Sequence, residues 1–245
     1  MSALVTRQDE DGLAWLTLNR PEKLNSLTVG MFKDLRQHAL DLKKDDSIGC
    51  VILRGAGKCF SAGHDLGDIA EGEEVPSRGW HSETLRLLEK LPKPVIAAVH
   101  GHCYTGALEV ALAADFILAA ASAKFADTHA RWALTPIWGM SQRLPRRVGI
   151  ATAKRLMFTA ETVRADAALE MGLCEAVYDD EVFEDELRAF ARQVLANSAF
   201  SHAANKRLLD ATDSDPLDSG LQWEVMENEG VGPDMHDRIN AFMKK

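Results

Sequence analysis

Two short stretches of the chain combine small residues with groups able to hold or move a proton. One is Phe60-Ser61-Ala62-Gly63-His64-Asp65-Leu66, and the other is His100-Gly101-His102-Cys103-Tyr104-Thr105-Gly106-Ala107-Leu108-Glu109. Small residues let a backbone approach a ligand. A helix opening at Gly106 would present amides that have no internal partner, at the positive end of the helix dipole. Such amides suit an oxygen that is gaining negative charge. Glu109, three residues on, would share a helix face with Gly106, so one segment could offer both an oxyanion donor and a carboxylate base. A Gly at a turn and a Glu in a first turn are also ordinary capping features, and spacing alone leaves both readings open.

The elements around these stretches read as alternating strands and helices. Leu13–Leu18 is apolar and runs as a strand into the turn Asn19-Arg20-Pro21-Glu22. Thr28 caps a helix reaching about residue 44, with Met31, Leu35, Ala39 and Leu42 at helical spacing. A buried strand at 49–53 precedes the glycine-punctuated stretch 55–67. Residues 81–91 read as a helix ended by Pro92-Lys93-Pro94. The strand Val95–Val99 delivers the second candidate stretch through a short loop at 101–106; a helix at 107–114 and a strand at Phe116–Ala120 follow. Beyond 151 helices dominate: 151–159, 165–171, 181–196, 201–211, 216–228 and 234–244, with a short strand within 173–178. In ligand-binding α/β sheets, sites gather where strands end and helices begin, and both stretches occupy such junctions.

Composition narrows the field. A chain of 245 residues makes one large domain or two small ones. With 46% hydrophobic and 27% charged residues it has a globular mix, and no apolar run approaches the length of a membrane span. The net charge of −9 argues against a nucleic-acid surface. The start shows no basic-then-apolar leader pattern, and Cys50, Cys59, Cys103 and Cys174 follow no metal spacing; a cytoplasmic protein with free thiols is expected. Familiar signatures fail. Gly57-Lys58 lacks the Walker A glycine, whose place is taken by Ile52, and Cys59 stands where Ser or Thr is needed. Phe60 breaks a dinucleotide fingerprint. His100 and His102 lack an obvious third ligand, so no metal is expected.

Five blocks in order then resemble the enoyl-CoA hydratase/isomerase (crotonase) superfamily: LAWLTLNRPEKLNSLT (13–28), VILRGAGKCFSAGHDL (51–66), KPVIAAVHGHCYTGALEVALAADFILAA (93–120), LTPIWGMSQRLPRRVG (134–149) and DMHDRINAFMKK (234–245). The resemblance implies an α/β fold, a crotonase-like spiral of ββα units over 1–195, with a C-terminal helical trimerisation segment over 196–245. It implies a homotrimer or a hexamer built as a dimer of trimers. The ligand would be an acyl-CoA thioester, with coenzyme A part of the substrate and no separate cofactor, as in fatty acid metabolism.

The same resemblance assigns the oxyanion hole to the backbone amides of His64 and Gly106. Glu109 matches the first of two hydratase glutamates, and the second falls at His129, a departure from the family pattern. A neutral imidazole can hold a water and an imidazolium can donate a proton, so hydration of a 2-enoyl-CoA by Glu109 and His129 is expected. Asp127 would orient His129 or act as a second carboxylate. Ala62, Asp65, Leu66 and Lys23 are assigned to substrate binding, Asp65 by fixing the oxyanion loop. Arg20, Lys23, Lys244 and Lys245 are candidate cations for the phosphates of CoA. Trp132, Trp138, Cys103 and Tyr104 are candidates for shaping the acyl pocket. Two rival readings stay open: an acyl-CoA decarboxylase, because His64 stands in the oxyanion loop, and a weakly active or non-catalytic acyl-CoA binder, because His129 replaces a glutamate.

Overall fold

In a computed structural model, which describes residues 3–213 and 215–244, strands alternate with helices for most of the chain. Lys245 lies outside the described residues. The chain opens with β1 (Val5–Glu10) and β2 (Leu13–Leu18), an antiparallel hairpin closed by Asp11 and Gly12, both at positive φ. Helix α1 (Val29–Leu42) starts as expected: the Thr28 hydroxyl accepts from the Met31 amide, and Met31, Leu35, Ala39 and Leu42 are buried along one stripe. Then follow β3 (Cys50–Gly55), the short helix α2 (Leu66–Glu71), α3 (Trp80–Glu89) and β4 (Val95–Val99).

Strands β2, β3 and β4 run parallel, and the main sheet is completed by β6 (Phe116–Ala120) and β9 (Ala176–Tyr178) in the order β1-β2-β3-β4-β6-β9. Alternation in these strands feeds two cores. Val51, Leu53, Ala97 and Val99 face α1 and α3, while Cys50, Ile52, Ile96 and Ala98 meet Phe183, Leu187 and Ala191 of a later helix on the other face. A sheet covered on both sides needs such near-continuous apolar strands.

The stretch 101–106, expected as a loop, contains a short strand, β5 (His102–Tyr104), which leaves the main sheet to pair with β7 (Lys124–Ala126) and, through it, β8 (Val163–Arg164). Helix α4 (Gly106–Ala111) lies between β5 and β6. Two further helices, α5 (Met140–Val148) and α6 (Ile150–Thr159), are separated by Gly149, at φ 78°. The chain closes through α7 (Ala165–Glu170), α8 (Phe183–Leu195), α9 (Ala199–Asp210), α10 (Leu217–Met226) and α11 (Met235–Met243). Helices α9, α10 and α11 bury no residue fully. Among the described residues no helix is long and apolar enough to cross a membrane.

Candidate active site

The segment carrying His64 is clamped from both sides. The Leu27 amide donates to Gly63 O at 2.8 Å, and the Asp65 amide to Leu27 O at 2.9 Å. On the other edge the Ser61 amide donates to His102 O at 2.9 Å, and the Tyr104 amide returns to Ser61 O at 3.3 Å. Gly63 sits at φ 103°, and a Cβ there would lie 2.5 Å from Tyr104 O. The loop therefore passes this close to β5 only because the position is glycine.

Gly106 enters α4 through Thr105, whose φ of 51° and ψ of −110° are costly for a β-branched residue. The surroundings over-determine that conformation: the Thr105 amide donates to Ala126 O, and its hydroxyl accepts from the Thr128 amide. A Cβ on Gly106 would meet the Trp138 ring at 2.5 Å and the His64 amide nitrogen at 3.3 Å. The His64 and Gly106 amides thus open onto one small space, and neither donates to any protein acceptor among the described residues.

Glu109, 1% exposed, faces this space from α4. Its two oxygens differ. Oε1 accepts from the amides of Trp138 and Met140, both at 2.9 Å. The intervening Gly139, at φ 125°, turns both amides toward that one oxygen, a main-chain anion nest. Oε2 lies 3.9 Å from Nε2 of His129. On the far side of the ring, Nδ1 of His129 is 2.6 Å from Oδ1 of Asp127, which also accepts from the His129 amide. A carboxylate at that distance calls for a proton on Nδ1, so the neutral ring turns a bare lone pair toward Glu109. Burial pushes the Glu109 carboxyl above its ordinary range, against the opposing pull of the Met140 and Trp138 amides.

These groups border a cavity of about 570 Å3 lined by Ala62, His64, Leu66, Gly106, Glu109 and His129, with Trp132, Trp138 and Tyr104 also on its walls. Cys103 is fully buried and does not line it. Of the other expected residues, Asp65 caps α2: Oδ1 accepts from the Gly67 amide, while Oδ2 takes Arg20 at 2.6 Å and Ser26 at 2.9 Å. The Arg20 contact leads in holding its carboxyl down to about 2. Arg20 is therefore committed to the loop. Lys23 is exposed on the 3-10 turn Pro21–Lys23, away from the cavity walls. Sequence reasoning missed the Gly139 nest, which lies 29 to 31 residues from Glu109 with no spacing rule to join them. It also missed Glu73 and His81. Among the described residues no three His, Cys, Asp or Glu converge as a metal site.

Two main-chain amides facing a buried carboxylate, on a sheet whose strands peel into a smaller one, place the chain in the crotonase fold. An enoyl-CoA hydratase from Bacillus anthracis superposes with a TM-score of 0.93 at 30% identity, over 98% of this chain and 96% of that one. The family profile described as enoyl-CoA hydratase/isomerase matches residues 8–240, and the chain belongs to that family. It is 33% identical to the 1,2-epoxyphenylacetyl-CoA isomerase of Escherichia coli strain K12, covering 100% of this chain and 97% of the relative. It is 32% identical to the short-chain-enoyl-CoA hydratase of Clostridium acetobutylicum, covering 98% and 95%. A Thermobifida fusca YX homologue in complex with acetoacetyl-CoA has a TM-score of 0.85 at 26% identity, over 92% and 93%.

Proposed function

We propose that the protein adds water across the C2=C3 bond of a 2-enoyl-CoA. The observation that carries this reading is the asymmetric Glu109 carboxylate. Oε1 is pinned by two amides, and Oε2 stands 3.9 Å from the His129 lone pair. A water between Oε2 and Nε2 would donate one hydrogen to each, leaving its own lone pair directed away from both. With the thioester oxygen between the His64 and Gly106 amides, that lone pair attacks C3 and electron density moves onto the thioester oxygen as an enolate. One water proton passes to Glu109 Oε2, and C2 takes it as the enolate collapses. His129 holds the other hydrogen, and Asp127 positions His129. Losing one oxyanion donor typically costs about 3–4 kcal/mol. No metal, nicotinamide or flavin enters these steps, and coenzyme A arrives as part of the substrate. The hydratase names of relatives and the acetoacetyl-CoA complex of a homologue support an acyl-CoA ligand. Lys23 is an exposed cation suited to the phosphates of CoA. The helices beyond residue 195 are assigned to trimer contacts.

Hydration is favoured over decarboxylation by His64 itself. Its Nε2 lies 3.0 Å from Glu73 Oε2, so a substrate carboxylate approaching the ring would meet a second anion there. The test is steady-state hydration of crotonyl-CoA, followed by loss of enoyl absorbance, with methylmalonyl-CoA assayed in parallel. Glu109→Gln is expected to lower kcat by about 10²–10⁴-fold, the range of general acid–base catalysis. Unchanged turnover in that variant would remove Glu109 from the mechanism. Tight binding without turnover of either thioester would favour the non-catalytic binder, and CO₂ release the decarboxylase.

A further inference from the structure

Past the oxyanion hole the cavity wall is not uniformly apolar. Glu73 and His64 both line it, yet Glu73 Oε2 and His64 Nε2 are shielded from solvent and neither completes a hydrogen bond, although the two atoms are 3.0 Å apart. Behind them His81 is 5% exposed, and its Nε2 also has no partner. The His81 ring lies 5.9 Å from that of His64 and 4.8 Å from that of Trp138, with Phe32 edge-on at 4.5 Å. Burial, aided by His64 and opposed by Glu73, pushes the His81 pKa down to about 4, so the ring is neutral near pH 7 and carries one donor and one acceptor. Buried polar atoms without partners are costly and uncommon. Two of them on the wall of a ligand cavity, with His81 directly behind, mark a place where a ligand completes the bonding.

We propose that this cluster is a hydroxyl-recognising subsite, and that the preferred acyl-CoA carries a hydroxyl on the acyl carbons next to the reacting bond. The inference rests on the acyl-CoA reading of the cavity. A hydroxyl can donate to the Glu73 carboxylate and accept from an imidazole N–H, which a methyl group cannot. An ionised carboxylate on the ligand has no proton to donate and would face the charge of Glu73. His64 sets the distance, because its amide belongs to the oxyanion hole and its ring to the subsite. The hydroxyl therefore sits within one side-chain length of the thioester oxygen. At about 570 Å3 the cavity falls within the usual range for small-molecule sites and has room for such an extension.

The test uses saturated acyl-CoAs of butanoyl, pentanoyl and hexanoyl length, each ending in a methyl, a hydroxyl or a carboxylate. None can be hydrated, so calorimetric affinity reads the subsite without turnover. At the best-fitting length the hydroxyl form is expected to bind the full-length protein on the order of tenfold tighter than the methyl form, the scale of one well-made hydrogen bond. Glu73→Met and His81→Phe are each expected to abolish that preference while the methyl forms still bind, which shows that the variants are folded. Equal affinity for methyl and hydroxyl forms at every length overturns the inference and leaves the acyl-CoA reading standing. A carboxylate form that binds tightest, or a preference that survives in both variants, overturns it as well. If no acyl-CoA binds at all, both readings fall together.

Discussion

Burial raises the carboxyl of Glu109, and the amides of Met140 and Trp138 pull it only part of the way back. A water-activating base must be ionised. As pH falls through a raised pKa the carboxylate gains a proton and ceases to accept, so the acid limb of kcat/KM is expected above the ordinary glutamate value of about 4.3. In the proposed mechanism Asp127, 1% exposed, acts one residue removed from this chemistry. Its Oδ1 fixes the proton of His129 on Nδ1, while its Oδ2 has no partner. In Asp127→Asn the side-chain amide can donate to Nδ1, which moves the ring proton to Nε2, facing Glu109 Oε2. Two readouts should change together in rate–pH profiles with crotonyl-CoA. The kcat is expected to fall by about 10²-fold with KM nearly unchanged. The acid limb is expected to move to lower pH, because a new donor stabilises the Glu109 anion. A merely structural Asp127 would lower stability and leave the limb in place.

The nest around Gly139 sets the orientation of Glu109. Its φ of 125° is a conformation that L side chains rarely adopt, and a Cβ there would crowd the end of Arg143, which is paired in bidentate fashion with Glu89. Gly149 offers a matched control: it too has positive φ, with nothing within 4 Å of an added Cβ. Gly139→Ala and Gly149→Ala should each cost on the order of 1–3 kcal/mol in stability, measured by denaturant unfolding. Only the first is expected to lower kcat for crotonyl-CoA, because only there does the strain move the amides that hold Oε1. Equal activity losses in the two variants would show that general destabilisation, not the nest, sets the rate. Strands β2, β4 and β6 were legible to the residue because their apolar runs are bounded by turns, and α1 because Thr28 caps a clean stripe. β1 escaped because it is an edge strand rich in charge; the Asp11-Gly12 pair was the signal that could have found it. α5 escaped because Pro145 lies inside it. The two stretches carrying His64 and Gly106 stand out locally through their small residues, and the pairing of their amides was an expectation from the family resemblance. The nest was not legible, because packing joins Glu109 to amides 29 and 31 residues away; the His64–Glu73–His81 cluster is local in sequence, but its residues meet by packing rather than by any period.

At the scale of the whole molecule, the last three helices leave large apolar side chains uncovered in the single chain. Ordering a residue costs roughly 1–2 kcal/mol of backbone entropy, and surface ion pairs return only about 0.2–1 kcal/mol each. Such pairs are prominent among what fastens this region: Lys206 to Asp115, Arg207 to Glu229, and Arg238 to Asp234 and the Ala196 carbonyl. Meanwhile Leu217, Val225, Met226, Phe242 and Met243 are each at least 75% exposed. A helix gains most of its stability by burying an apolar face, and contiguous exposed apolar surface marks an interface. A second and a third copy of the chain would supply the missing burial, in line with the trimer contacts proposed for these helices. Light scattering after size exclusion is expected to give three or six times the chain mass. Phe242→Glu combined with Met226→Glu should shift the population toward smaller species and weaken the dependence of the melting temperature on protein concentration, since dissociation then no longer accompanies unfolding. A wild-type protein that runs as a monomer at every concentration would refute the assignment, and the exposed faces of α10 and α11 would then need a different partner.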